Sequence, residues 1–184
     1  RRWFVRIVCV GGLLVGGTWD MLFCGGAVKT ITATDASNAI GYVVGERSGN
    51  AAAPINGQTT AQVSIDGVCE EFGNRSTLTI EALGGQDNIS LNNASTASGL
   101  TAITVNGGEQ DDHLLVTDVD GNSDVQVTNT QVLTAQTVPV TYSNVESMTI
   151  DGVTGNHNLQ YTLTNAVETT IVTPSAALDE GSVI

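Results

Sequence analysis

The chain has 184 residues, enough for one domain with a sizeable core, and sets 19 acidic against 6 basic side chains for a formal net charge of −13. No Lys or Arg follows Arg75, so the basic footprint needed to hold nucleic acid or an anionic lipid surface is excluded. Aromatic residues make up 4% while glycine occurs 21 times, so a core has to be assembled from Val, Ile, Leu and Ala on thin segments that approach closely.

Taken in order, residues 1–26 open with Arg1-Arg2-Trp3-Phe4-Val5-Arg6 and continue through the apolar run from Ile7 to Val15. A basic start followed by a short apolar stretch predicts an export signal, and the paired arginines resemble the twin-arginine type. Secretion or display at the cell surface follows from that reading. Cys9 and Cys24 would leave with the signal, and the remaining Cys69 is expected as a small buried apolar residue.

Residues 27–62 read as strands at Val28 to Thr34 and Ile40 to Val44, then a glycine-rich link from Gly45 to Gln58. Residues 63–172 follow as a repeating region, and 173–184 as a tail or linker. Within the repeating region the run from Val105 to Val116, V-N-G-G-E-Q-D-D-H-L-L-V, brings an apolar-alternating strand into glycine, turns through acidic residues and re-emerges as a strand. Leu78 to Leu91 uses the same grammar, with Asp87 and Asp112 standing 25 residues apart, and Met148 to Tyr161 repeats it more faintly. Asn93 to Gly99 reads as a loop, and Pro139 as the start or edge of a strand. Thr30 and Thr32, with Thr77 and Thr79, take outward strand positions.

A strand of three to five residues presents only two or three inward side chains, so one copy cannot bury its own apolar face. Stacked copies can. A period in the mid-twenties with short strands and Gly or Asn at the corners predicts an all-β fold, a parallel β-solenoid resembling a right-handed β-helix. The strand spacing also fits a β-sandwich.

These copies resemble the Gly/Asp-rich repeats of secreted bacterial β-solenoid proteins, including the hemolysin-type calcium-binding (RTX-like) family with its nonapeptide G-G-x-G-x-D-x-U-x. Gly107 to Leu114 keeps both opening glycines, the Asp and the apolar position, with Gln110 in place of the third Gly. Ala82 to Ile89 keeps Gly85, Asp87 and Ile89; Gly152 to Leu159 keeps both outer glycines and has His157 where Asp belongs. The resemblance implies calcium held jointly by neighbouring turns. Because Gln110 and Ala82 enter left-handed backbone less freely than Gly, weak binding is expected, at roughly 10⁻⁴ to 10⁻³ M.

Candidate ligands are Asp87, Asp111, Asp112, Asp118, Asp120, Asn122 and Asp124. The last four lie in D-V-D-G-N-S-D, which places oxygen side chains at alternate positions and resembles the opening of acidic calcium loops. The same run also reads as a polar turn nucleated by Asp120-Gly121. Asp111-Asp112-His113 could do general acid and base work. A polyanion-degrading enzyme, however, also needs cations to hold substrate, and the repeating region beyond Arg75 has none.

The expected function is a non-catalytic structural or adhesive segment. A weak calcium-binding module of a larger secreted protein and a polysaccharide-degrading β-helix enzyme are the alternatives. Expected partners are a second copy, end to end, or a cell-surface or polysaccharide ligand.

Overall fold

Alternating β-branched and polar residues favour extended backbone, in which successive side chains face opposite sides. A computed structural model describes residues 27–44, 46–47, 50–51, 59–92, 97–118, 124–134, 138–152 and 158–162, and among them every regular element is a strand. The apolar start at 1–26, most of the link at 45–58, the loop at 93–96 and the segment at 163–184 lie outside the described residues.

The strands are β1 (Ala27–Thr32), β2 (Ala39–Val44), β3 (Glu46–Arg47), β4 (Asn50–Ala51), β5 (Ala61–Ile65), β6 (Val68–Phe72), β7 (Arg75–Glu81) and β8 (Asn88–Asn92). They continue as β9 (Ala102–Asn106), β10 (His113–Asp118), β11 (Asp124–Thr128), β12 (Gln131–Thr134), β13 (Val140–Ser143), β14 (Ser147–Gly152) and β15 (Asn158–Thr162). One seven-stranded sheet has the order β1-β7-β9-β13-β12-β11-β15, a six-stranded sheet has the order β14-β10-β8-β2-β5-β6, and β3 pairs with β4 alone.

In the larger sheet β1, β7, β9 and β13 are parallel neighbours; in the smaller one β2, β8, β10 and β14 are. Each of the first group leads through a short turn into its counterpart in the second. The chain thus forms four similar two-strand units, called rungs below. The strands before residue 63 supply the first rung and share both sheets with the later ones.

Register places like on like. Ile31, Ile80, Val105 and Tyr142 share one inward row of the larger sheet, and Ile40, Ile89, Leu114 and Met148 one of the smaller. Most of these rows merge into a single core, in which Leu78, Ile80, Leu91, Ile103, Val105 and Leu114 are fully buried. Facing outward, Thr30, Thr79, Thr104 and Thr141 fall in one row, where cross-strand threonine pairs add packing and hydrogen bonds.

Both sheets are mixed, which a purely parallel reading of the repeats did not anticipate. Beyond β2 the smaller sheet is extended by the antiparallel hairpin β5–β6, and beyond β13 the larger one by the antiparallel strands β12 and β11. Sequence-local hairpins need no crossover, so they can continue a sheet where the rungs stop. At the first end Lys29 takes the inward position of outermost β1 and forms an ion pair with Glu70 of β6, linking the two sheets. An inward charge of this kind also blunts an edge strand.

Cys69 corrects an expectation. It is exposed, because β6 is the outermost strand of its sheet and the side chain faces solvent rather than the core.

Candidate functional site

Of the residues that the sequence singles out, Asp87, Asp111 and Asp112 lie in the turns joining the two sheets. Turn 82–87 stacks on turn 107–112, as the pairs Glu81 with Asn106 and Asn88 with His113 require. Turn 33–38 stacks on the other side of 82–87. Over 107–112 lies the shorter turn 144–146, set by the pairs Ser143 with Asn106 and Ser147 with His113. The fainter third copy therefore has a different phase from the one its glycines suggest. Gly152 pairs with Asp118, at the end of a strand rather than in the turn, and 153–157 lie outside the described residues.

Backbone geometry explains the glycines. Each middle turn uses left-handed residues at its second and fourth positions: Leu83 (φ 73°) and Gly85 (φ 102°) in one, Gly108 (φ 108°) and Gln110 (φ 81°) in the other. Gln110 thus does adopt the conformation that the nonapeptide assigns to Gly, at a cost of roughly 1 kcal/mol. Where a side chain would strike the neighbouring rung, only Gly is present. A Cβ on Gly108 would lie 1.8 Å from the Leu83 carbonyl oxygen, and one on Gly85 2.4 Å from the Ala36 carbonyl carbon.

The last residue of each of the first three turns points inward and forms a column across the rungs: Asn38, Asp87 and Asp112, all at most 5% exposed. The Asn38 N–H donates to Asp87 Oδ1 at 2.6 Å, the Asp87 N–H to Asp112 Oδ1 at 2.8 Å, and the Asp112 N–H to Glu146 Oε2 at 2.7 Å. Glu146 replaces the aspartate because its turn is shorter and the longer side chain has to reach. In the reverse direction the Asn38 carbonyl accepts from the Asn88 N–H and the Asp87 carbonyl from the His113 N–H, so every rung is tied to the next by both backbone and side chain.

At the first end the Asn38 amide donates to Asp66 Oδ2 and the Ala39 N–H to Asp66 Oδ1, both at 2.8 Å. Asn38 Oδ1 accepts from the N–H and the hydroxyl of Thr34.

The column's electrostatics divide by burial. Exposed Asp66 is held below the ordinary carboxylate range by the Ala39 N–H first and the Asn38 amide second. Burial pushes Asp87 and Asp112 upward against the pull of the backbone N–H that each accepts. Neighbouring carboxylates push the same way, Asp112 and Asp66 on Asp87, and Glu146 and Asp111 on Asp112. Oδ2 of Asp87 and Oδ2 of Asp112 are buried without a hydrogen-bond partner. An unpaired buried polar oxygen costs roughly 1–3 kcal/mol, and more when charged.

Of the seven candidate ligands, only Asp87 and Asp112 are brought together in the interior. Asp111 is exposed beside Asp112, and Asp124 is exposed at the start of β11 in the other sheet. Asp118 ends β10 with its side chain outside the described part, and Asp120 and Asn122 lie outside the described residues. No group of three or more His, Cys, Asp or Glu side chains with the spacing of a metal site occurs among the described residues.

Asp111-Asp112-His113 does not converge either. Asp112 turns inward, while the His113 ring lies on the outer side, with Nδ1 2.8 Å from Ser147 Oγ and Nε2 3.2 Å from Thr149 Oγ1. His157 is outside the described residues.

Three members of the column are not among the sequence candidates. Asn38 has a faint signal, lying about two repeat lengths before Asp87 and just ahead of the alternating Ile40 and Tyr42. Asp66 and Glu146 have none, because a hairpin and a shortened turn bring them into place. No protein-family model matches the chain, and neither a curated protein nor a solved structure does.

Proposed function

We propose that the chain is a structural or adhesive β-solenoid segment, displayed at the cell surface or secreted, whose work is done by stacked rungs rather than by catalysis. The observation that carries this reading is the turn column: Asn38, Asp87 and Asp112 each donate a backbone N–H to the side chain at the equivalent position of the next rung, Asp87, Asp112 and Glu146 in turn. Such a device serves repetition.

The outward surfaces fit a scaffold. They present threonine, serine and asparagine in register, and the depression lined by Gly41, Gln62, Ser64, Ser90 and Asn92 is shallow and open. The RTX-like resemblance belongs to the same proposal, as does end-to-end association of copies, which sedimentation at rising concentration would reveal.

Removing residues 82–106 tests the repeat reading. This cut joins Glu81 to Gly107, takes one strand from each sheet and leaves the register of the remaining rungs intact. A stack of equivalent units folds cooperatively after the loss of one, with a lower melting temperature. A sandwich with unique strand neighbours does not fold. Hydrolysis of acidic and neutral polysaccharides by the full chain, lost in a folded His113→Ala variant, would overturn the non-catalytic reading.

A calcium-binding module is the second reading, favoured by the unpartnered Oδ2 atoms of Asp87 and Asp112. With free calcium at about ten times a millimolar dissociation constant, binding stabilises the fold by about 1.4 kcal/mol. Melting curves with calcium and with chelator separate it from the first.

A further inference from the structure

We propose that the depression above Gly41, on the outer face of the smaller sheet, binds a neutral sugar unit of a polysaccharide. This names the partner class for the adhesive reading of the chain and rests on that reading.

Register builds the site. Across β8, β2, β5 and β6 one outward row reads Ser90, Gly41, Ser64 and Cys69, and the next reads Asn92, Val43, Gln62 and Glu71. Gly41 has no side chain in a row where its neighbours do, so the surface drops there. The depression has a volume of about 340 Å³, at the small end of the roughly 300–1,000 Å³ usual for sites that take small molecules.

Polar side chains around it are left unbonded. Gln62 is 8% exposed, so its stem is covered, yet its amide has no hydrogen-bond partner among the described residues. The side chains of Ser64, Ser90 and Asn92 also bond to no other described residue. Other outward polar groups satisfy one another. On β10 and β14 the His113 ring bridges Ser147 and Thr149, and on the larger sheet the Asn106 amide donates to Glu81 and accepts from Asn144. Around Gly41 the donors and acceptors meet a shared space instead of each other.

The chemistry of the lining selects the ligand. No charged side chain lines the depression, although the chain carries a net charge of −13. An anion would need a cationic partner and a hard cation several carboxylate or carbonyl oxygens, and neither is offered. Amides and hydroxyls both donate and accept, as does each hydroxyl of a sugar. Half-buried Val43, and half-buried Leu115 beside Ser90, add apolar contact for the C–H face of a sugar ring. A shallow, open site suits one unit of a long polymer, which lies across a surface rather than being enclosed.

Affinity electrophoresis of the full chain through gels holding a neutral glucan, mannan or galactan, or the acidic polymers alginate and polygalacturonate, tests the proposal against Gly41→Val and Gln62→Met. Valine suits a strand and fills the depression; its Cβ would lie 2.9 Å from Ser64 Oγ, which can rotate away. Methionine keeps the covered stem of Gln62 and removes the amide. Retardation by a neutral polymer is expected, lost in Gly41→Val and about fivefold weaker in Gln62→Met, the effect of about one hydrogen bond. Melting curves should show both variants folded, and if Gly41→Val is not, Gln62→Met decides. Retardation that the folded variants keep in full, or retardation by acidic polymers alone, overturns the site and leaves the adhesive reading in place. Retardation by none of the polymers overturns both.

Discussion

Two kinds of left-handed turn in the chain need glycine for different reasons. Between β5 and β6, Asp66 (φ 50°) and Gly67 (φ 82°) form a two-residue hairpin turn, and nothing lies within 4 Å of the place a Gly67 side chain would occupy. Both positive φ values suit the right-handed twist of the flanking strands, which is why Asp-Gly is favoured there. In turns 82–87 and 107–112 the φ values are similar, but another rung is packed directly on the backbone. The hairpin glycine answers to its own torsion angle, whereas the stacked glycines answer also to a neighbour far away in sequence.

Substitution should separate these two demands. Gly108→Ala places a Cβ 1.8 Å from the Leu83 carbonyl oxygen at φ 108°. Backbone strain and forced separation of the rungs together cost about 4 kcal/mol, a large part of a domain's stability, and chemical denaturation should show it or find the variant unfolded. Gly85→Ala should behave alike.

Next in size is the loss of core contacts. Leu91, fully buried where the parallel strands stack, is expected to cost about 3 kcal/mol as Leu91→Ala. Val68→Ala on the hairpin, at a position 77% exposed, should change stability by less than about 0.5 kcal/mol. A loss between these two follows from Gly67→Ala, about 1 kcal/mol from torsional strain alone, since the space is open. If it matched Gly108→Ala, the distinction between the turns would fail.

One substitution has an effect of the opposite sign. Gln110→Gly relieves the strain of φ 81° at the cost of a more flexible unfolded chain, for a net gain of up to about 1 kcal/mol in the same denaturation assay.

Much of this was legible beforehand at the level of class. Alternation of Ile, Leu and Val with polar residues at 78–80, 89–91 and 103–105 reports the strands and their inward faces, because a period of two is a local property. Asp87 and Asp112 were also visible, since their 25-residue separation is preserved by the register. Their inward orientation was not. A repeated Asp reads equally as a solvated turn or as a ligand, and only the neighbouring rung shows that each one caps a backbone N–H from the interior. Gln110 misled in another way: a missing glycine suggested a lost conformation, yet Gln110 itself adopts it, at φ 81°.

What the sequence by itself determined, then, is everything that depends on near neighbours along the chain: strands, an acidic surface, and a core of aliphatic side chains. The tertiary structure decided which strands are neighbours, that hairpins extend one sheet at each end, that Cys69 faces solvent, and that Asn38, Asp66 and Glu146 complete a column begun by two aspartates. The physical reason is range. Torsion preferences and side-chain alternation act within a few residues, while a hydrogen bond from Asn38 to Asp87 or from Asp112 to Glu146 joins positions 49 or 34 apart and exists only once the chain between them has been folded out of the way.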